Sequence, residues 1–219
     1  MHLPSPAAIV FDMDGTLIDS ERIAQRTFDE VCRSFALVPN PEVYRRCIGT
    51  RGSETQAILR ELYGPGFPLD PFFAAWSEAY REHAIDRPVP VKDGVLALLA
   101  TCDARGIPMA VATSTRRTTA LSKLAKVDLL DRFRFVLCGD EVEHGKPHPQ
   151  IYLHAAARLA IGPGQAWAIE DSDVGVRSAH AAGMVVFQIP DLHEPEPAVR
   201  AFGHRIVASM DDVLAHLRA

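Results

Sequence analysis

Short apolar runs that alternate with helical patterns constrain the fold of this chain more than any other feature of its sequence. Five runs are clear, at residues 7–11, 107–113, 133–138, 166–169 and 184–189, and a weaker sixth lies at 205–208. A short run that is apolar throughout indicates a strand buried on both faces, as in a parallel sheet. Helical patterns between such strands, among them one with a predicted apolar face at residues 95, 96, 98 and 99, indicate crossover helices. We therefore predict an α/β fold with a parallel sheet flanked by helices.

One interval interrupts this alternation. Residues 20–87 contain no convincing strand run, and their pattern predicts four helices at 20–35, 41–47, 52–63 and 71–83. Proline and glycine separate these helices. Both ends of the interval lie close in sequence to the first two strands. We therefore predict a helical domain of residues 20–87 inserted into a core formed by residues 1–19 and 88–219.

Composition limits the partners of the chain. The 219 residues carry a net charge of −5, so no basic excess neutralises a nucleic-acid backbone or an anionic membrane. No run approaches the roughly 18 apolar residues of a membrane helix. The four cysteines lack metal-type spacing, and the first residues lack the pattern of a signal peptide. We expect a cytoplasmic monomer or homodimer that binds neither nucleic acid nor membrane.

Two aspartates directly follow the first strand. Asp12 and Asp14 are followed by Gly15, and open α/β sheets bind ligands at the carboxyl ends of their parallel strands. One carboxylate of such a pair can act as a nucleophile and the other as an acid and base. The glycine permits a tight turn and the close approach of an anion. An ordinary turn after a strand explains this motif about equally well.

Three later strand ends also carry polar residues that suit phosphate chemistry. Thr113 and Ser114 follow the second strand at the predicted start of a helix, where hydroxyls and free amides can bind phosphate. Lys146, between glycine and proline, can neutralise a phosphoryl group. Glu170 and Asp171 offer the oxygen ligands that suit Mg²⁺. Each feature has an ordinary alternative, namely a helix N-cap, an exposed loop lysine and an acidic partner of a helix dipole.

Together the four features form the set of groups that one phosphoryl-transfer site requires. The set resembles the four motifs of the haloacid dehalogenase-like hydrolase superfamily, over nearly the whole chain. The insertion resembles the small α-helical cap of the subfamily that includes phosphoglycolate phosphatase and β-phosphoglucomutase, which implies a Rossmann-like core. The matching motifs are Asp12-Met13-Asp14-Gly15-Thr16-Leu17, Thr113-Ser114, Lys146-Pro147 and Glu170-Asp171-Ser172.

The resemblance implies a role for each matching residue. Asp12 would attack phosphorus and form an aspartyl phosphate. Asp14 would protonate the leaving alcohol and then activate water. Thr113 and Lys146 would hold the phosphoryl oxygens. Further phosphate donors would be the backbone amides of Asp14, Gly15 and Ser114.

The resemblance also implies a Mg²⁺ cofactor. The carboxylates of Asp12 and Asp171 and the backbone carbonyl of Asp14 would bind the ion, and Glu170 would act through a coordinated water. Transfer of a charged phosphoryl group needs fixed cations and donors, which this set supplies. The predicted function is therefore Mg²⁺-dependent hydrolysis of phosphomonoesters of small phosphorylated metabolites.

Other chemistries of the superfamily fit the sequence less well. Dehalogenases lack the second aspartate as acid and base, whereas Asp14 is present here. β-Phosphoglucomutases carry a histidine early in the cap, where this chain has Ala24, and they and phosphonatases use a cap lysine, which residues 20–87 lack. Within the cap, Arg51 is either a contact for the leaving group or a solvated charge. A sugar phosphomutase and a non-catalytic protein that binds a phosphoryl ligand remain the alternatives.

Overall fold

The protein is described here by a computed structural model that covers residues 4–47 and 52–219. It divides into two compact units. One runs to Asp19 and resumes from Pro90 to Ala219, and the other spans Ser20–Val89. The insertion predicted at residues 20–87 therefore ends two residues before the observed second unit does. Its role as a cap stays a prediction.

A six-stranded parallel sheet forms the centre of the first unit and confirms the predicted α/β class. The weak sixth run is also a strand, at the edge of the sheet. The strand order is β3-β2-β1-β4-β5-β6. The strands are β1 (Ala8–Phe11), β2 (Met109–Ala112), β3 (Val136–Leu137), β4 (Ala166–Glu170), β5 (Val185–Gln188) and β6 (Arg205–Ile206).

The register of the central strands brings their carboxyl ends together. Phe11, the last residue of β1, is paired with Val111 of β2 and with Ile169 of β4. The residues that follow β1, β2 and β4 therefore emerge side by side at one edge of the sheet. The chain order reverses at β1, because β2 lies on one side of it and β4 on the other. Such a switch point leaves a crevice in which α/β sheets bind ligands.

Six α-helices accompany the sheet in the described part of the first unit. An apolar face was predicted for residues 95, 96, 98 and 99, and this prediction is wrong for Leu96, which is 56% exposed. The buried stripe instead follows the helical spacing through Val95, Leu98, Leu99 and Cys102, and Leu96 lies about 100° away from Val95 around the helix axis. The helices are α5 (Val95–Ala104), α6 (Arg117–Ala125), α7 (Gln150–Arg158), α8 (Asp173–Ala181), α9 (Pro197–Arg200) and α10 (Met210–Arg218).

The second unit is helical, as predicted. Its core centres on Phe28, whose ring packs against Tyr44, Phe72 and Trp76 at centroid distances of 5.4, 5.7 and 5.1 Å. The fourth helix begins two residues before its predicted start, and a π-helical turn at Glu82–Asp86 follows it. The helices are α1 (Ser20–Ser34), α2 (Pro41–Cys47), α3 (Gly52–Tyr63) and α4 (Leu69–Arg81).

All four cysteines are buried and free. Burial raises the pKa of Cys47 to about 11 and that of Cys102 to about 12, so both are protonated at neutral pH. Among the described residues, no helix combines the length and the apolar character that crossing a membrane requires.

Candidate active site

A buried lysine joins two carboxylates at the carboxyl edge of the sheet. Asp12 follows β1, and Glu170 is the last residue of the neighbouring β4. The Nζ atom of Lys146 lies 2.6 Å from Asp12 Oδ1 and 2.6 Å from Glu170 Oε1. The three side chains are only 4%, 11% and 0% exposed, respectively. Three of the residues predicted from separate motifs therefore form one charge cluster.

Burial and charge act against each other in this cluster. Burial raises the pKa of the Asp12 carboxyl well above its usual range, and the Lys146 ammonium opposes that shift only in part. For Lys146, burial lowers the pKa, but the carboxylates of Asp12 and Glu170 outweigh burial and raise it. Lys146 is therefore a permanent cation. Full ionisation of Asp12 calls for further positive charge beside it.

Glu170 is held from several directions. Tyr152 on α7 donates its hydroxyl proton to Oε1, the same oxygen that Lys146 contacts. Ser172 donates to the other carboxylate oxygen at 3.3 Å. Burial raises the pKa of Tyr152 well above its usual range, so the phenol remains a donor. Glu170 thus serves as a fixed counter-charge for Lys146.

The start of α8 fits closely over Glu170. The Ser172 hydroxyl caps the helix by accepting a bond from the amide of Gly175 at 3.1 Å. A Cβ atom placed on Gly175 would lie only 2.0 Å from the Glu170 carboxylate. A glycine is therefore required where the helix approaches the charge cluster.

The carboxylates suit a divalent metal ion. Asp12, Glu170 and Asp171 each offer an oxygen, and these atoms lie within 4.8 Å of one another. Thr16 donates to Asp171 Oδ1 at 3.2 Å and so helps to orient it. A donor set made only of carboxylate oxygens fits hard divalent cations. Such a cation would also supply the positive charge that Asp12 calls for.

Asp14 is held separately from Asp12. Its Oδ1 atom lies 2.7 Å from Nζ of Lys123 on α6, and its Oδ2 atom accepts a 2.6 Å hydrogen bond from the Thr115 hydroxyl. Neither partner was predicted from the sequence. The feature that could have indicated a role for Lys123 is its position between Ala120 and Leu124, on the face of α6 that is otherwise apolar and buried. A lysine on such a face needs a carboxylate partner.

Thr113 lies at the end of β2, where its hydroxyl accepts a bond from the Thr115 amide at 3.1 Å. This bond uses a lone pair, so the hydroxyl proton can still be donated to phosphate. The predicted helix start at Thr113 is wrong, because α6 begins at Arg117. Asp140 already accepts a bond from the Arg117 amide at 2.9 Å, so that amide does not serve phosphate.

The remaining predicted site residues are Gly15, Arg51 and Ser114. Gly15 adopts a φ of +80°, as a tight turn requires. Its amide donates to the Ile18 carbonyl at 2.9 Å. Since an amide carries one proton, the structure does not support Gly15 as a phosphate donor. Arg51 lies outside the described residues. Ser114 is exposed, and phosphate binding by its backbone amide stays a prediction.

Comparisons with known proteins agree with this geometry. The family described as haloacid dehalogenase-like hydrolase matches residues 9–189. A phosphorylated carbohydrates phosphatase of Thermotoga maritima is 32% identical, over 81% of this chain and 82% of the relative. The fructose-1-phosphate phosphatase YqaB of Escherichia coli is 33% identical, over 81% of this chain and 93% of the relative.

A solved structure extends the similarity to the fold. It is that of a hydrolase from Deinococcus radiodurans with bound phosphate and sodium. The similarity has a TM-score of 0.85 at 26% identity, and it covers 98% of this chain and 96% of the other.

The close fit of α8 over Glu170 leads to a prediction for Gly175→Ala. Because the added methyl group would collide with the Glu170 carboxylate, we expect the free energy of unfolding to fall by about 1–3 kcal/mol. Displacement of the Glu170 carboxylate, which holds Lys146, should also reduce activity by about tenfold or more. Thermal unfolding and phosphatase assays measure the two effects.

The matched control is Gly164→Ala, whose added Cβ would meet its nearest neighbour at an ordinary 3.7 Å. This variant should keep both stability and activity. Wild-type stability and rate in Gly175→Ala would show that Glu170 does not need its close fit with the helix.

Proposed function

Because the chain belongs to the haloacid dehalogenase-like hydrolase family and is a phosphatase, we propose that Asp12 is the nucleophile of its reaction. The single observation that carries this proposal is the position of Asp12 Oδ1, 2.6 Å from the buried Lys146 ammonium at the central switch point of the sheet. The carboxylate forms a bond to phosphorus as the ester bond between phosphorus and oxygen breaks. Lys146 and Thr113 stabilise the charge on the transferred group.

Asp14 acts as the acid and base in this proposal. It gives a proton to the ester oxygen as that oxygen leaves, and it then takes a proton from the water that attacks the aspartyl phosphate. The support is that Asp14 follows Asp12 by two residues but is bonded to different partners, Lys123 and Thr115. Asp14 binds a proton from solvent before the first step, and its contacts with Lys123 and Thr115 stabilise the carboxylate that forms when this proton is given up.

Mg²⁺ is the divalent ion that we propose for the site. The carboxylates of Asp12 and Asp171 and the backbone carbonyl of Asp14 would hold it directly. Glu170 would act through water, since its oxygens already accept bonds from Lys146, Tyr152 and Ser172. When bound, the ion would supply positive charge that favours ionised Asp12 and offsets the charge of the phosphoryl oxygens.

Small phosphorylated metabolites, and phosphosugars in particular, are the substrates that we propose. The support comes from the two relatives, which are named for phosphorylated carbohydrates and for fructose 1-phosphate. A sugar phosphomutase is not favoured, because residues 20–87 hold no lysine and Ala24 stands at the mutase histidine position. We propose the cytoplasm as the location, which the four unpaired thiols support.

The first prediction from this proposal concerns Asp12→Asn. Loss of the attacking carboxylate should reduce phosphate release to below about a hundredth of the wild-type rate, while thermal unfolding still shows a folded protein. Phosphate release is measured with p-nitrophenyl phosphate and with a panel of phosphosugars, in Mg²⁺ and in EDTA.

Asp103→Asn, a change at an exposed ion pair with Arg132, is the matched control and should retain full activity. Undiminished hydrolysis by Asp12→Asn would remove Asp12 from the mechanism. A wild-type protein that binds these compounds without turnover would favour a non-catalytic binding protein. Phosphoryl transfer between sugar positions would favour the mutase.

A second prediction concerns the metal ion. Asp171→Asn removes one negative ligand and leaves the shape of the side chain, so the half-saturating Mg²⁺ concentration should rise at least about tenfold. Activity titrations and calorimetric Mg²⁺ binding measure it. Asp173→Asn is the control, because the Asp173 carboxylate accepts bonds from the side-chain amide of Gln188 and the backbone amide of Glu196 and is not among the three clustered acids. Equal Mg²⁺ requirements in Asp171→Asn and wild type would exclude Asp171 as a ligand.

A further inference from the structure

Lys123 lies outside the four sequence motifs, yet it contacts the same site. We propose that Lys123 is a positioning residue, which together with Thr115 fixes the carboxylate of Asp14 for proton transfer to the leaving oxygen. The proposal rests on the proposed function, in which Asp14 is the acid and base.

The placement of Lys123 is unusual for a lysine. Its side chain is 2% exposed, and it shares the buried face of α6 with Ala120 and Leu124. A buried ammonium is strongly unfavourable unless it is paired and hydrogen-bonded. The Asp14 carboxylate, 2.7 Å away and itself 20% exposed, provides that partner. The pair therefore links a helix of the core to the loop that follows β1.

Lys123 and Thr115 hold Asp14 at two points. Lys123 contacts Oδ1, and the Thr115 hydroxyl donates to Oδ2 at 2.6 Å. Because the two contacts come from different segments and reach different oxygens, they restrict rotation of the carboxylate plane. A group that must reach a leaving oxygen gains from such restriction, since a misplacement of about 1 Å can reduce a rate by about 10²-fold.

The two buried lysines of the site serve different carboxylates. Lys146 bridges Asp12 and Glu170, whereas the ion pair of Lys123 is with Asp14. This division assigns Lys146 to the nucleophile and Lys123 to the acid and base. Loss of Lys123 should therefore disturb proton transfer and leave the binding of phosphate largely intact.

Dependence on the leaving group separates this role from a purely structural one. When the ester bond breaks, its electron pair stays on the leaving oxygen, which takes the proton of Asp14. A sugar alkoxide is a poor leaving group and needs that proton, whereas p-nitrophenolate leaves readily without it. A displaced Asp14 should therefore slow phosphosugar hydrolysis much more than p-nitrophenyl phosphate hydrolysis.

The experiment compares kcat/KM of Lys123→Met with that of wild type on both substrates. The phosphosugar is fructose 1-phosphate, or the member of the panel that is hydrolysed fastest. We expect a loss of about 10²-fold on the phosphosugar and of no more than about tenfold on p-nitrophenyl phosphate. Inhibition by inorganic phosphate should change by less than about twofold, and Lys123→Arg should recover part of the phosphosugar activity.

Two further variants keep the test decisive. Thr115→Val removes the other contact with Asp14 without opening the buried face of α6. It should also slow phosphosugar hydrolysis selectively, by about tenfold. Lys126→Met, at an exposed position next to the end of α6, is the matched control and should behave as wild type.

Equal losses on both substrates in Lys123→Met and Thr115→Val, or no loss, would overturn the proposal. Phosphate inhibition that weakens in step with the rate would instead make Lys123 part of the phosphate-binding group. A wild-type protein that hydrolyses neither substrate would refute the proposed function itself, which is a distinct result.

Discussion

The active site depends on one buried cation. Lys146 lies between Asp12 and Glu170, at 2.6 Å from each, in a place where none of the three side chains is well hydrated. Removing one partner of such a cluster leaves an uncompensated buried charge, which is strongly destabilising. This explains why Glu170 is held by Tyr152 and Ser172 and covered by the start of α8. The surroundings of Glu170 thereby also fix the position of Asp12, the proposed nucleophile.

Charge balance favours a divalent ion in this arrangement. Four carboxylates and two buried lysines carry a formal charge of −2 when all are ionised, which a divalent cation would neutralise. The carboxylates are Asp12, Asp14, Glu170 and Asp171, and the lysines are Lys123 and Lys146. The raised pKa of Asp12 has the same origin, because burial and neighbouring carboxylates leave this group short of positive charge.

The sequence predicted the sheet and the strand-end acids, because both depend on local pattern: apolar runs form the strands, and the polar residue after each run must lie at the carboxyl edge. It did not predict the start of α6 or the partners of Asp14. The acceptor for the Arg117 amide comes from Asp140, and Lys123 lies 109 residues from Asp14 along the chain. Such contacts depend on how α6 is rotated against the sheet. Leu96 was misassigned because adjacent apolar residues lie on different faces of a helix.

The proposed mechanism requires a covalent phosphoryl group on Asp12, and trapping that group is the most direct test. Asp14→Asn, mixed with p-nitrophenyl phosphate and Mg²⁺ and quenched in acid, should form the intermediate faster than it hydrolyses it, since activation of water is impaired. Mass spectrometry should then find one phosphoryl group, labile to hydroxylamine, on the peptide that contains Asp12. Release of phosphate with no phosphoryl group on the protein, or with that group on another residue, would contradict the account.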